Sequence, residues 1–326
     1  MTLLYARLRY NAQRSEDNKH SITALAWDVL DHIFMQAALV KLLVHFFALL
    51  SLRLSHAIGT VLGYLGQIIP NSLQQPARTN IDLCLPELTA QQRSQIYRQC
   101  FIELGRAATE AGALLLWDRE RLLSLVKQVS GKELLENALA KGKGAIIVTP
   151  HLGAWEMVGL YNSLNYPMTS LYRPPRMEEV NLVLKQARER FGATLVPTDA
   201  GGVRALYKAL KKNELLGILP DQSPPEEFGV FAPFFGVNAI TMTLLPKLAT
   251  KTDATIIYCF AERLAKGAGY HIHYFPASGT LKDLALPEAA ALINKDVETC
   301  IRRSPGQYFW PYKRFKLRPE GEAPIY

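Results

Sequence analysis

The chain has 326 residues, of which 49% are hydrophobic, and this composition excludes an intrinsically disordered protein. Its four cysteines are widely separated and form no Cys-x-x-Cys pair, which excludes a disulfide-rich secreted scaffold and favours a reducing compartment. The formal net charge of +8 predicts an anionic partner, which can be a membrane surface, a phosphorylated substrate, an acidic protein or a nucleic acid.

The first predicted element is an apolar run from Ile33 to Leu52 that contains one formal charge, Lys41. Its length suits a helix that spans a bilayer or lies in its interface, and a helix buried in the protein core is the alternative. The run starts too late for a signal peptide. We therefore expect an N-terminal extension with a membrane anchor, residues 1–53, followed by a larger domain, residues 54–326.

The segment after this run predicts a layer of helices. Residues 54–117 have apolar positions at roughly helical spacing, interrupted by prolines, and Thr89 is a suitable N-cap. A short helix over residues 133–139 then leads to residues 145–148, an uncharged run rich in β-branched side chains. Such a run predicts a buried strand.

Beyond this strand, helices and strands alternate. Periodicity predicts helices in residues 154–164, 177–192 and 201–214, and strands in "MTSLYR", "ATLVPT" and "LLGILPDQ". "ATIIYCFAERL" and "GYHIHYFPA" are expected to form a hairpin pair. "FGVFAPFFGV" has neither period, so we expect a loop that plugs the core or lines an apolar pocket. The order predicts an α/β fold with a largely parallel central sheet flanked by helices.

Polar side chains follow three of the predicted parallel strands. His151 and Glu156 follow the first strand in "HLGAWE", Arg173 and Arg176 follow the next in "YRPPR", and Asp221 ends "ILPD". In open α/β sheets, ligands bind outside the carboxyl ends of the strands. The sequence therefore predicts one site on which these residues converge.

The spacing of His151 and Glu156 is the main chemical signal. If a helix begins near residue 153 or 154, the imidazole can fold back over its first turn to reach Glu156, which makes a general base and its orienting acid. Pairs with this spacing also arise by chance, and a histidine that satisfies a helix end is the alternative. Because the sequence has no Gly-x-Ser-x-Gly elbow and no cysteine near His151, we expect direct attack by a substrate hydroxyl.

The other candidate residues have two interpretations each. Arg173 and Arg176 either bind an oxyanion or a phosphate, or are solvated at a strand end. Asp221 either orients the acceptor or stabilises a turn.

His271 and His273 alternate onto one strand face, but no further His or Cys lies nearby in sequence, so no metal site is expected. No Walker A loop or dinucleotide fingerprint is present, and no cofactor is expected.

The C-terminal stretch "IRRSPGQYFWPYKRFKLR" combines basic and aromatic residues and contains no acid. This combination occurs in nucleic-acid-binding segments and also at membrane headgroups, where Trp310 and Tyr312 would sit. The sequence contains no recognised nucleic-acid-binding module, so the membrane interpretation is favoured and no nucleic-acid partner is expected.

Taken in order, these motifs resemble those of the late acyltransferases of lipid A assembly, the lauroyl and myristoyl transferases, within the glycerolipid acyltransferase superfamily. The resemblance covers about Leu54 to Tyr326 and rests on "NIDLCLPELTAQQR", "VTPHLGAWE", "YRP", "ILPDQ" with "VFAPFFGV", and "QYFWPYKRFKLRPEG". The chain departs from the family at "PYKRFK", where family tails often carry a His-Arg-Arg run.

The resemblance implies a membrane-anchored enzyme at the cytoplasmic face of the inner membrane. It implies transfer of a fatty acyl group from acyl carrier protein to a hydroxyl of a phosphorylated lipid A precursor, without a cofactor. His151 would be the base, Glu156 its partner, and Arg173 and Asp221 site residues. Two alternatives stay open: an acyltransferase of the same fold with a lysophospholipid or glycosylated inositol lipid acceptor, and a non-catalytic basic membrane-binding protein.

Overall fold

The computed structural model describes residues 38–174 and 178–326. Helices come first along the chain, and strands and helices then alternate. The first helices are α1 (residues 38–49), α2 (Leu52–Ile68), α3 (Gln74–Cys84), α4 (Ala90–Leu116) and α5 (Arg119–Leu125). The remaining elements are β1 (Val126–Ser130), α6 (Lys132–Ala140), β2 (Ala145–Val148), α7 (Trp155–Asn165), β3 (Met168–Leu171), α8 (Glu178–Glu189), β4 (Ala193–Val196), α9 (Ala200–Lys211), β5 (Leu215–Ile218), β6 (Gly229–Phe234), β7 (Val237–Met242), α10 (Leu244–Thr252), β8 (Thr255–Arg263), β9 (Tyr270–Pro276) and α11 (Leu286–Arg303).

The main sheet has seven strands in the order β1-β9-β8-β2-β5-β3-β4. The strands from β8 to β4 in this order are parallel to one another, β9 is antiparallel to β8, and β1 is parallel to β9. The predicted α/β fold with a largely parallel central sheet is therefore confirmed, as is the β8–β9 pair. The sequence analysis missed β1, because its "VKQVS" sequence carries little apolar alternation.

The aromatic segment that was expected to be a loop is a β-hairpin. β6 and β7 pair antiparallel from Gly229 opposite Met242 to Phe234 opposite Val237. Phe235 (φ 50°) and Gly236 (φ 77°) form the turn, and this left-handed backbone is the one that a two-residue hairpin of type I′ needs. The prediction was wrong because backbone hydrogen bonds between the two strands form this hairpin. A period of apolar residues in the sequence does not indicate such pairing.

Apolar layers cover both faces of the main sheet. All four residues of β2 are buried: Ile146 and Val148 belong to the layer that includes residues of α9 and α11, and Ala145 and Ile147 belong to the layer that includes residues of α6 and α7. A parallel strand covered on both faces is a continuous apolar run in the sequence, which is why β2 was predictable.

Close backbone contact joins the first helices to each other. α4 begins with a capping box in which the Thr89 hydroxyl accepts from Gln92 N and the Gln92 side chain accepts from Thr89 N. α2 crosses α4 at Gly59 and Gly105, where a Cβ on Gly105 would lie 1.9 Å from the Gly59 carbonyl oxygen. A larger residue at either position would therefore force the two helices apart.

A buried ion cluster, consisting of His56, Glu103, Glu110, Arg263 and Tyr270, fixes these helices to the sheet. The Glu110 carboxylate bonds His56 Nε2 at 2.9 Å, Arg263 Nη2 at 2.7 Å and the Tyr270 hydroxyl at 2.9 Å. Burial alone would raise the pKa of Glu110, but Arg263 and His56 lower it to about 2. The carboxylate stays ionised and ties α2 and α4 to β8 and β9.

The predicted anchor from Ile33 to Leu52 lies partly outside the described residues. Its described part does not continue as one helix to Leu52: α1 ends at residue 49, and α2 begins at Leu52 with the Ser51 hydroxyl accepting from Leu54 N. In the ranges 38–174 and 178–326, none of the helices combines the length and apolar character that crossing a membrane requires.

α1 and α2 leave apolar side chains in solvent, while the opposite side of α1 packs on α4. The Trp117 indole donates to the Ala48 carbonyl oxygen at 2.8 Å, and a Cβ on Gly112 would lie 2.4 Å from Ala48 N. We call the exposed side the α1–α2 apolar surface; it consists of Leu39, Leu42, Leu49, Val61, Leu65, Ile68 and Ile69.

Candidate active site

His151 lies in a loop that three backbone hydrogen bonds hold at the carboxyl end of β2. Phe309 N donates to His151 O at 3.0 Å, Gly153 N donates to Gln307 O at 3.0 Å, and Ala154 N donates to Ala261 O at 2.8 Å. Gly153 has φ +60°, and a Cβ there would lie 2.1 Å from Ala261 O. The glycine of "HLGAWE" therefore allows the loop to turn against β8 before α7 begins at Trp155.

Asp221 is the hydrogen-bond partner of His151. β5 is the parallel neighbour of β2, so the residues that follow both strands meet at one edge of the sheet. Asp221 Oδ1 lies 2.8 Å from His151 Nδ1, and Asp221 Oδ2 accepts from His151 N at 2.8 Å. Because an ionised carboxylate only accepts, His151 Nδ1 carries the proton. The imidazole is thereby held in one orientation and one tautomer.

The charge of Asp221 is maintained although its side chain is only 1% exposed. Burial alone would raise its pKa, but the positive charge of His151 and the hydrogen bonds from the His151 ring and backbone lower the pKa below the usual range. Asp221 is thus a buried, ionised carboxylate, and burial makes its attraction for an imidazolium stronger than in water.

The other ring nitrogen of His151, Nε2, contacts Gln222. Gln222 Nε2 lies 3.2 Å from His151 Nε2, so the amide donates to the nitrogen lone pair. The Trp155 ring stands beside the imidazole with 5.4 Å between centroids. The His151 side chain is 18% exposed, so the imidazole is partly accessible to solvent.

Glu156 does not occupy the position that the sequence spacing predicted. It lies in the first turn of α7, where Arg188 of α8 donates from Nε to Oε2 at 2.9 Å and from Nη2 to Oε1 at 2.5 Å. The expected hydrogen bond between Glu156 and the imidazole is corrected: Asp221 takes that place. The physical reason is that β5 delivers Asp221 directly beside Nδ1, whereas Glu156 is drawn to a guanidinium.

The two predicted arginines belong to the segment after β3. Arg173 is exposed just beyond the carboxyl end of this strand, and β3 is the parallel neighbour of β5. It therefore lies at the same edge of the sheet as His151 and Asp221. Arg176 lies outside the described residues.

Part of the C-terminal segment, expected to be a surface for headgroups, is buried in the core. Trp310 is buried and donates from its indole to the Pro305 carbonyl oxygen at 2.7 Å, and Phe315 is buried as well. Arg314 is buried and donates to Thr241 Oγ1 at 2.9 Å. Burial raises the pKa of Tyr308, and the charge of Asp221 raises it further. The expectation was wrong for Trp310, because a pattern of aromatic residues interleaved with cations does not show which of the aromatic side chains are buried.

Gln307 is a site-supporting residue that sequence reasoning did not find. Its side chain pairs with both backbone groups of Arg263, accepting from Arg263 N at 2.9 Å and donating to Arg263 O at 3.0 Å. Its own carbonyl oxygen accepts from Gly153 N. Gln307 thus joins the end of β8 to the His151 loop, and no periodicity or motif spacing signals such a role.

The arrangement is suited to activating a hydroxyl. A base held by a buried carboxylate is the part of a Ser-His-Asp triad that removes a proton. Here the two ring nitrogens of His151 contact Asp221 and Gln222, and neither contacts a serine or cysteine of the described residues.

Comparison with known proteins points to a single family. The model of the family described as bacterial lipid A biosynthesis acyltransferase matches residues 22–317. Three Escherichia coli (strain K12) proteins are similar: a lipid A biosynthesis palmitoleoyltransferase, 31% identical over 82% of this chain and 87% of its own length; a lauroyltransferase, 29% identical over 82% and 86%; and a myristoyltransferase, 24% identical over 82% and 82%.

The family match includes the loop of His151, the end of β5 with Asp221, and the C-terminal segment that holds the loop in place. The resemblance drawn from the ordered motifs is confirmed. The matched relatives are named as acyltransferases, which argues against the alternative of a non-catalytic membrane-binding protein. The chain therefore belongs to the bacterial lipid A biosynthesis acyltransferase family, and it is an acyltransferase.

Proposed function

We propose that this enzyme transfers a fatty acyl group from the thioester of acyl carrier protein to a hydroxyl of a lipid A precursor, with His151 as general base. The observation that carries the proposal is the pair of contacts on the imidazole: Nδ1 bonds the buried Asp221 carboxylate, and Nε2 accepts a hydrogen bond from the Gln222 amide. Family membership supports the lipid A acceptor over a lysophospholipid or an inositol lipid.

The proposed reaction needs one proton acceptor and no covalent enzyme intermediate. The acceptor hydroxyl replaces the Gln222 amide at His151 Nε2 and attacks the thioester carbonyl carbon. As the C–O bond forms, the hydroxyl proton passes to Nε2; as the C–S bond breaks, the imidazolium gives that proton to the leaving thiolate. The products are an ester and a thiol, and His151 returns to its starting tautomer.

Electrostatics favour the charged intermediate state of this reaction. Asp221 is ionised and in contact with the imidazole, so it stabilises the imidazolium that forms when the hydroxyl is deprotonated. The exposed guanidinium of Arg173, at the same edge of the sheet, would bind the thioester oxyanion or a phosphate of the acceptor. Arg176 follows in the same segment, and we propose that it binds the acceptor too.

We propose that Glu156 is a positioning residue. Its ion pair with Arg188 joins α7, which begins directly after the His151 loop, to α8, which follows the Arg173 to Arg176 segment. Removing the pair would loosen the spacing between the base and the arginines. It would not change the tautomer of the imidazole, which Asp221 sets.

We further propose that the enzyme works at the cytoplasmic face of the inner membrane. The α1–α2 apolar surface would enter the lipid interface, and the net charge of +8 would favour both anionic headgroups and an acidic carrier protein. Co-sedimentation with vesicles that contain anionic lipid tests this, because Leu49→Glu should weaken the association.

The decisive assay measures transfer from labelled acyl carrier protein to tetra-acylated and penta-acylated lipid A precursors in detergent micelles. We expect Asp221→Asn to lower kcat roughly 100-fold and Glu156→Gln to lower it by about tenfold or less, because only Asp221 touches the base. Glu136→Gln, in an exposed ion pair with Lys132, is the matched control and should be unchanged.

Two results would contradict the proposal in different ways. If Glu156→Gln abolishes transfer while Asp221→Asn retains it, Glu156 orients the base and the assignment to Asp221 fails. If the wild type acylates a lysophospholipid and neither lipid A precursor, the acceptor is wrong although the chemistry stands.

A further inference from the structure

A second cluster of potential ligands lies on the sheet, apart from the His151–Asp221 pair. Glu262 of β8 and His271 and His273 of β9 each offer one ligand atom, and these atoms all lie within 4.8 Å of one another. In the antiparallel β8–β9 register, Glu262 stands opposite His271, and His273 follows two residues later on the same face. The three side chains are half-buried.

The three side chains of this cluster lie close to one another. His273 Nε2 lies 3.0 Å from Glu262 Oε2, and the His271 and His273 rings are 3.7 Å apart between centroids. A neutral imidazole has one ring nitrogen with a lone pair that a metal ion can bind.

The surroundings of the cluster hold the side chains in place and add partial negative charge. Ser130 of β1 lies 2.7 Å from His271 Nε2 through its hydroxyl oxygen, and Ser304 donates to Glu262 Oε1 at 3.4 Å. Ser304 is the C-cap of α11, and the carboxyl end of a helix attracts cations. Arg303 opposes this attraction, but its guanidinium lies over the Phe275 ring, 4.1 Å from the ring centroid.

We propose that Glu262, His271 and His273 bind a divalent transition-metal ion, of which Zn²⁺ fits the donors best. Two imidazoles and one carboxylate form a set that Zn²⁺ accepts with a solvent molecule as fourth ligand, whereas Mg²⁺ and Ca²⁺ prefer oxygen ligands alone. Tetrahedral ligand atoms about 2.1 Å from Zn²⁺ lie about 3.4 Å apart. The ligand atoms, which now lie within 4.8 Å of one another, would therefore need to approach by about 1.4 Å at the widest separation.

The site would clamp β1, β8 and β9 together beside the His151 loop. Ala261, the residue before Glu262, accepts the backbone hydrogen bond from Ala154 N. The proposal concerns metal binding and the stability of this corner of the sheet. It assigns the ion no part in acyl transfer and does not depend on the acceptor or on the acyl donor.

The test uses the full-length protein in detergent, freed of any affinity tag and stripped of metal by dialysis against a chelator. Zn²⁺ binding is measured by competition with a chromophoric chelator and by elemental analysis, and Co²⁺ is used to report tetrahedral coordination by its visible absorption. We expect one equivalent of Zn²⁺ per chain, a rise in Tm on binding, and at least tenfold weaker binding in Glu262→Gln and in His271→Gln/His273→Gln.

His45→Gln is the matched control, since His45 is exposed on α1 and should leave the bound equivalent unchanged. Circular dichroism shows whether each variant is folded, and Glu262→Gln, at a partly exposed position, keeps the test decisive if the double variant unfolds. The proposal is overturned if the metal-free wild type binds no added Zn²⁺, or if Mg²⁺ displaces Zn²⁺ at equal concentration. It is also overturned if folded Glu262→Gln binds Zn²⁺ as tightly as the wild type.

Discussion

Two histidine–carboxylate pairs in this enzyme have nearly the same geometry and entirely different surroundings. His56 Nε2 lies 2.9 Å from Glu110, and His151 Nδ1 lies 2.8 Å from Asp221. The His56 side chain is 3% exposed and its carboxylate is shared with Arg263, whereas the His151 side chain is 18% exposed. The free ring nitrogen of His56 has no hydrogen-bond partner within the described part of the chain.

The comparison shows that pairing with an acid does not make a histidine a base. Both carboxylates are buried and ionised, but the second nitrogen of His151 has a polar partner in Gln222, and the His151 side chain is partly exposed. The pair in the buried ion cluster holds helices on strands, whereas we propose that the pair at the edge of the sheet takes part in the reaction. We therefore expect substitutions in the His56–Glu110 pair to lower the free energy of unfolding, and substitutions in the His151–Asp221 pair to lower kcat.

The largest effect is expected for His151→Ala. Loss of the base should lower kcat by about 1,000-fold or more, and Tm should stay within a few degrees of the wild type because the side chain is partly exposed. Acyl transfer and thermal unfolding of the same preparation check this. A variant that unfolds early, with activity recovered at low temperature, would show that His151 is structural.

The next effect is expected for Glu110→Ala, which leaves the Arg263 guanidinium buried without its main partner. The free energy of unfolding should fall by about 3–5 kcal/mol, measured by denaturant titration. Kinetics at a temperature where the variant is folded should be close to those of the wild type. Glu136→Ala, in an exposed pair with Lys132, should cost at most about 0.5 kcal/mol.

The lowered pKa of Glu110 predicts that the free energy of unfolding falls in acid. The folded-state pKa of Glu110 is about 2, below its ordinary value of 4.5, so its stabilising effect is complete above that ordinary value and is lost as pH falls toward 2. Unfolding free energy measured between pH 6 and pH 3 should decline in the wild type. In Glu110→Gln the curve should be flatter and lower at neutral pH; parallel curves would contradict the assignment.

The smallest effect is expected for Gln307→Ala, which removes the side-chain link between β8 and the His151 loop. We expect kcat to fall about threefold to tenfold with little change in KM, because the base is displaced while the substrate contacts remain. Gln75→Ala, at an exposed position on α3, is the matched control. An increase in KM without a change in kcat would show that Gln307 acts on substrate binding instead.

Much of the fold was predictable because local patterns and sheet geometry agree. The apolar run of β2 and the alternation after it predicted a parallel sheet with its polar residues at one edge, and the structure has that arrangement. The two-residue turn at Phe235 and Gly236 was missed, since aromatic side chains hid a hairpin that depends on backbone pairing. α1 was predicted as part of one long helix, but the Ser51 N-cap ends that continuity.

The contacts within the site were harder to predict, because they join residues far apart in the chain. The spacing of His151 and Glu156 suggested a pair, but β5 becomes the neighbour of β2 only when β3 and β4 are placed outside it, and this order puts Asp221 against the imidazole. The same limit concealed Glu262, which meets His271 and His273 from a different strand.

By itself, the sequence determined the class of fold, the family and the edge of the sheet that carries the candidate site, because strand and helix periods and ordered motifs are local properties of the chain. Only the tertiary structure decided which acid holds His151, which arginine holds Glu156 and which aromatic residues of the C-terminal segment are buried. Those contacts depend on strand order and on competition among buried charges, and neither is encoded in residue spacing.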